Sequence, residues 1–169
     1  MSKGEGSTGN LKFGSYDLKY AKKDAKDSDI IWSPVIDDGW TISLSGAKFK
    51  GSKEQLGIKA EQITLDTGLS YALVPPDDIK DIVLALKDSN NLICKQDGHG
   101  DLDMYACPCD KAQYSKLKPM QLKINSKLFT LPVNAWMSFD ETRENKECKI
   151  LMHPYDISMT ATYKWVVGI

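Results

Sequence analysis

No run in the 169 residues approaches the roughly 20 consecutive apolar side chains of a membrane-spanning helix, so none is expected. Net charge is nearly absent, with 22 basic against 23 acidic side chains, and so weak a field draws in neither nucleic acid nor anionic lipid. Histidine occurs only as His99 and His153, at spacings that match neither a zinc finger nor a zinc ribbon. There is no internal repeat, heptad or low-complexity stretch, which excludes solenoids and coiled coils. Cysteine is missing from everything before Cys94.

The hydrophobic share, 41%, suffices for one domain with a real core. Residues 1–10, MSKGEGSTGN, read as a flexible leader or an expression scar, and 11–169 as the folded part. The cysteines, Cys94, Cys107, Cys109 and Cys148, are even in number and permit two disulfides in an oxidising compartment, that is, secretion or a lysosomal or vacuolar lumen. The Cys107-Pro108-Cys109 pair is also compatible with zinc, but its single intervening residue excludes a redox C-x-x-C.

Short apolar runs broken by Gly and charged residues predict a mainly β fold. Trp32–Val35 and Trp40–Leu44 read as strands joined through Asp37-Asp38-Gly39, and Ala47–Phe49, Ile58–Ala60 and Ile63–Leu65 continue the meander. Met120–Ile124 and Leu128–Pro132 alternate around Asn125-Ser126-Lys127 as a hairpin, and Lys164–Val167 is a further strand. One segment changes period. After Pro75-Pro76, Ile79, Ile82, Val83 and Leu86 recur at offsets of three and four, predicting a helix over Asp77–Lys87 with Asp77 and Asp78 favouring its N-terminus. From Lys87 to Lys111 the chain reads as a loop-rich excursion with a mobile tip. His99 and the pair Asp101 and Asp103 read as solvated loop residues, Trp136 and Met137 as core or cleft cover, and Lys22-Lys23 with Asp24, Lys26 and Asp27 as a mixed surface turn.

The sharpest local feature is Ile63-Thr64-Leu65-Asp66-Thr67-Gly68-Leu69-Ser70, where an alternating strand delivers an acid into a Thr-Gly turn. By itself Asp-Thr-Gly is a β-turn tripeptide. Its setting resembles the second active-site motif of pepsin-type aspartic proteases, over a stretch from about Leu11 to Ile169. Gly14–Tyr20 resembles the glycine-rich turn before the C-terminal lobe of that family, and Trp32-Ser33-Pro34-Val35 its Trp-x-Pro-Val strand. Pro75-Pro76 with the helix, the Asn125 hairpin, and Trp165-Val166-Val167-Gly168 follow in the family's order.

That resemblance implies the C-terminal lobe of a pepsin-like fold, β-barrel-like sheets with one or two short helices, incomplete at its C-terminus. It implies Asp66 as a catalytic residue, with Thr67, Gly68, Leu69, Ser70, Val166 and Val167 supporting the site or contacting substrate. It further implies a Cys109–Cys148 disulfide, which leaves Cys94 and Cys107 for a second. The implied activity is peptide-bond hydrolysis without metal or organic cofactor, on a peptide or protein substrate. The second aspartate would come from an N-terminal protease lobe or another chain, because the sequence holds only one Asp-Thr-Gly. Leu69 departs from the Thr or Ser usual after the motif, which keeps a non-catalytic interaction module as the alternative. A homodimer donating two copies of Asp66 ranks last, since such chains are shorter.

Overall fold

The computed structural model describes residues 14, 16–20, 23–37, 39–97, 104–140, 146–155 and 163–168. Its contacts divide the chain into Met1–Trp32 and Ser33–Ile169. Within the first unit, single 3-10 turns form at Leu18–Tyr20 and Asp27–Asp29, and the Tyr16 ring meets Trp32 edge-on. The Asp29 carboxylate accepts the Lys26 N–H at 3.1 Å, closing the second turn.

The second unit is built mainly of strands. In chain order it comprises β1 (Thr41–Phe49), β2 (Gln62–Asp66), β3 (Ala72–Val74), α1 (Pro76–Asn90), β4 (Lys95–Asp97) and β5 (Met104–Pro108). There follow α2 (Lys111–Lys116), β6 (Met120–Ile124), β7 (Lys127–Leu131), α3 (Val133–Trp136), β8 (Met137–Asp140), β9 (Glu147–Ile150), β10 (Met152–Pro154) and β11 (Lys164–Gly168). Seven strands form one sheet in the order β10-β3-β11-β2-β1-β6-β7, and four form another in the order β4-β5-β9-β8. The chain crosses between sheets at Leu151, whose N–H donates to Trp136 O and whose carbonyl accepts the Ala72 N–H. Ile79, Ile82 and Leu86 of α1 are buried in the core with Trp136, Trp165 and Met120.

Several expectations are corrected. Trp32–Val35 is not a strand: Pro34 has no N–H to give a ladder, and the bond that joins this stretch to β1 runs from Ile36 N to Thr41 O. The runs Trp40–Leu44 and Ala47–Phe49 are one strand, β1, because a bulge between Leu44 and Ala47 absorbs Gly46 without ending the pairing to β6. Ile58–Ala60 is not a strand either, since the Lys59 and Ala60 amides are taken by the Asp78 carboxylate at 2.7 and 3.2 Å. The helix exceeds its predicted bounds and stops at a left-handed Asn91, where the Leu92 N–H bonds back to Leu86 O and buries Leu92 beneath the helix end.

The excursion from Lys87 to Lys111 is more ordered than expected, with β4 and β5 pairing antiparallel. Cys94 bonds to Cys107, the next position along that ladder, and Cys109 bonds to Cys148 on β9. Its expected mobile tip, with His99, Asp101 and Asp103, lies outside the described residues. The hairpin β6–β7 turns through Asn125 and Ser126, both at positive φ, and Trp136 and Met137 are buried.

Candidate active site

Strand β2 has β1 on one side, antiparallel, and β11 on the other, parallel, so Asp66 leaves the sheet between two paired neighbours. The parallel register sets Gly168 opposite Asp66, Val167 opposite Leu65 and Val166 opposite Thr64. Paired residues share a face and successive residues alternate. Asp66, Thr64, Val166 and Gly168 therefore lie on one face. Leu65, Val167, Ile63 and Trp165 lie on the other, where all four join the core. Of the two valines named from the sequence, Val166 shares the face of Asp66, and Val167 anchors β11 from behind.

Beyond Asp66 the chain turns through Thr67 and Gly68. The Gly68 N–H donates to Asp66 Oδ1 at 2.7 Å, and the Leu69 N–H reaches Asp66 O at 3.5 Å. The turn thus orients its own acid. A side chain at Gly68 would crowd that carboxylate, its Cβ falling 3.1 Å from Oδ1. At Gly168 the constraint is tighter, because a Cβ there would overlap Leu69 O and lie 3.0 Å from Tyr71 O. The Gly168 N–H also donates to Tyr71 O at 3.2 Å, closing the turn against β11. Thr67, Gly68 and Ser70 are exposed, while Asp66 and Leu69 are half-buried.

Supporting polar groups escape notice in the sequence. Thr41 is buried, and its hydroxyl shares a 2.8 Å hydrogen bond with that of Thr64, two residues before Asp66 on the same face. The Thr41 hydroxyl and the Gly39 N–H hold the Asp37 carboxyl below its ordinary pKa, helped by the Lys164 ammonium. Trp40 is exposed, yet its carbonyl accepts the Leu65 N–H at 3.0 Å, tying the entrance of β1 to the residue before Asp66. Asp78 is a buried acceptor for Lys59 N, Ala60 N and Trp165 Nε1, a role beyond the helix-end charge expected of it. An aspartate in the first turn of a helix looks the same in sequence whether it faces solvent or core.

A groove of about 1130 Å³ between α1, the stretch 49–57 and α2 is lined by no residue of the Asp66 turn. Among the described residues no three His, Cys, Asp or Glu side chains are grouped to hold a metal ion, and no helix is long and apolar enough to cross a membrane.

No curated protein matches the chain. A family model, that of the eukaryotic aspartyl proteases, matches residues 1–168. With that match spanning nearly its whole length, and an Asp-Thr-Gly turn set between paired strands, the chain belongs to the eukaryotic aspartyl protease family.

Proposed function

We propose that this chain acts as the C-terminal lobe of an aspartic endopeptidase, Asp66 supplying one carboxylate of a catalytic pair and an N-terminal lobe the other. The observation that carries this reading is the presentation of Asp66: Oδ1 held at 2.7 Å by the Gly68 amide, opposite Gly168, whose lack of a side chain lets the turn close against β11. Two carboxylates about 3 Å apart cannot both ionise and so share one proton, as is known for pepsin. The ionised member takes a proton from water, whose oxygen attacks the peptide carbonyl carbon while the protonated member donates to the carbonyl oxygen. On collapse the gem-diol gives its hydroxyl proton back to the carboxylate that donated it, while the other carboxyl passes the proton taken from water to the nitrogen, so the C–N bond breaks and the amine departs. The chemistry needs no metal or organic cofactor.

In this reading the substrate runs extended across the Asp66 face. Thr67, Gly68, Leu69 and Ser70 flank it and Val166 lines a side-chain subsite, while the cleft itself is completed by the other lobe. The two disulfides support an oxidising compartment, hence secretion or a lysosomal or vacuolar lumen.

A second reading is a non-catalytic module that binds another protein. Leu69 favours it, leaving no hydroxyl directly after the motif. So does β7, an edge strand with Leu128 and Phe129 exposed, which offers a ladder to an incoming strand.

Cleavage of a broad peptide library from acid to neutral pH separates the two. The chain is compared with its Asp66→Asn variant, and each is tested alone and joined to its N-terminal lobe. Pepstatin-sensitive cleavage that needs both lobes and vanishes in Asp66→Asn establishes the protease. No cleavage by the folded two-lobed protein establishes the binding module.

A further inference from the structure

On β10, next to β3 in the seven-stranded sheet, lies a titratable group that the chemistry above does not use. His153 is only 2% exposed, its Cα pairs with Leu73 in the parallel β10–β3 ladder, and its Nδ1 is buried with no hydrogen-bond partner among the described residues. The ring meets that of Tyr71 edge-on, centroids 4.2 Å apart and planes at 62°. The Tyr71 carbonyl accepts the Gly168 N–H, and Gly168 is the register partner of Asp66. A short path of contacts therefore joins the imidazole to the catalytic carboxylate.

Among the described residues, the elements packed on β10 offer no uncommitted acid to stabilise an imidazolium. β3 contributes Ala72, Leu73 and Val74, and β10 itself adds Met152 and Pro154. β10 also packs on β5, where Tyr105 is the titratable side chain besides the disulfide-bonded Cys107. On α1, which it touches as well, the buried acid Asp78 is committed to Lys59 N, Ala60 N and Trp165 Nε1. The other charged groups of α1 are Asp77, Lys80, Asp81, Lys87 and Asp88, of which Asp77 pairs with Lys59 and Lys80. Burial holds the His153 pKa below 6.5. An imidazolium here carries a proton on Nδ1 with no acceptor among the described residues, so the ring must move to find water.

We propose that His153 is a positioning residue for the Asp66 turn: neutral, it fills the space behind Tyr71 and keeps the Tyr71–Gly168 bond in register; protonated, it leaves that space and loosens the turn. Its meaning for catalysis rests on the protease reading, whereas the coupling itself does not. In catalytic terms it sets an acid limit on activity separate from the titration of the aspartate pair.

The test is an NMR pH titration of the isotopically labelled 169-residue chain, from neutral to acid, alongside His153→Gln and His153→Phe. The expected result is a His153 midpoint below 6.5, with the Leu69, Tyr71 and Gly168 amides shifting at that same midpoint and losing the shift in both variants. An ordinary midpoint, or amides that stay still through it, overturns the proposal. Should a variant fail to fold, the wild-type titration decides alone. Absence of peptide cleavage by the two-lobed protein would sink the protease reading and leave these resonances unchanged, so the two ideas fail separately.

Discussion

The indole of Trp165 donates its Nε1–H to Asp78 Oδ2 at 2.8 Å, across 87 residues of chain. The same carboxylate takes the Lys59 and Ala60 amides, so one buried side chain joins the first turn of α1, the approach to β2, and β11. A buried charge is tolerated when its lone pairs are occupied in this way. The two strands it secures are those that bring Asp66 and Gly168 opposite each other.

Asp78→Asn turns an acceptor into a donor that faces other donors. The expected cost is about 3 kcal/mol in urea unfolding, the scale of hydrogen bonds to a buried charge. A double-mutant cycle with Trp165→Phe should return a coupling of about 1 kcal/mol or more. Strictly additive losses would mean that the indole bond contributes nothing.

Gly168→Ala places a methyl against two backbone carbonyls that cannot swing aside. We expect about 1–3 kcal/mol of destabilisation, and in the two-lobed protein a drop in kcat/KM of about tenfold or more as Asp66 is displaced. Wild-type kcat/KM in this variant would show that the turn tolerates movement.

Ser126→Gly should stabilise the β6–β7 hairpin. Asn125 and Ser126 sit at φ 46° and 61°, and only the first residue type suits the left-handed region. The expected gain is about 0.5–1 kcal/mol by thermal unfolding, while Ser126→Val should lose stability. A neutral glycine variant would put the strain elsewhere.

Acid should weaken the fold in two stages. His153 has a lowered folded pKa, so its contribution is full above the unfolded value of 6.5 and declines as pH falls below it, while the unfolded chain binds the proton. Asp77, lowered by Lys59 and more weakly by Lys80, and Asp37, lowered chiefly by Thr41, add stability that is complete above 3.8 and lost as pH drops through their folded values. Unfolding midpoints measured across this range should show both declines, with His153→Phe lacking the first and Asp77→Asn having a shallower second. A midpoint independent of pH above 4 would contradict the burial of His153.

The strands and helix that show in the sequence are those whose own period matches their burial. Met120–Ile124 buries alternate side chains, and Ile79, Ile82 and Leu86 bury one stripe of α1. The delivery of Asp66 from a strand into a Thr-Gly turn is legible for the same reason. What stays hidden depends on partners distant in sequence. Ile58–Ala60 looks like a strand until Asp78 claims its amides. Val166 and Val167 look equivalent until the register with β2 assigns them opposite faces. His153 gives no local sign that Tyr71 covers it.

The insertion of β11 between β3 and β2 has a consequence for synthesis. β2 and β3 leave the ribosome long before their shared neighbour, and until then they face a gap that neither can close by pairing with the other in this arrangement. Closing so long a loop is slow, since its entropy is lost before the new contacts form. The acid-bearing turn therefore cannot be completed before Lys164–Gly168 is made, and a nascent chain stalled anywhere before Lys164 carries Asp66 without the strand that orients it.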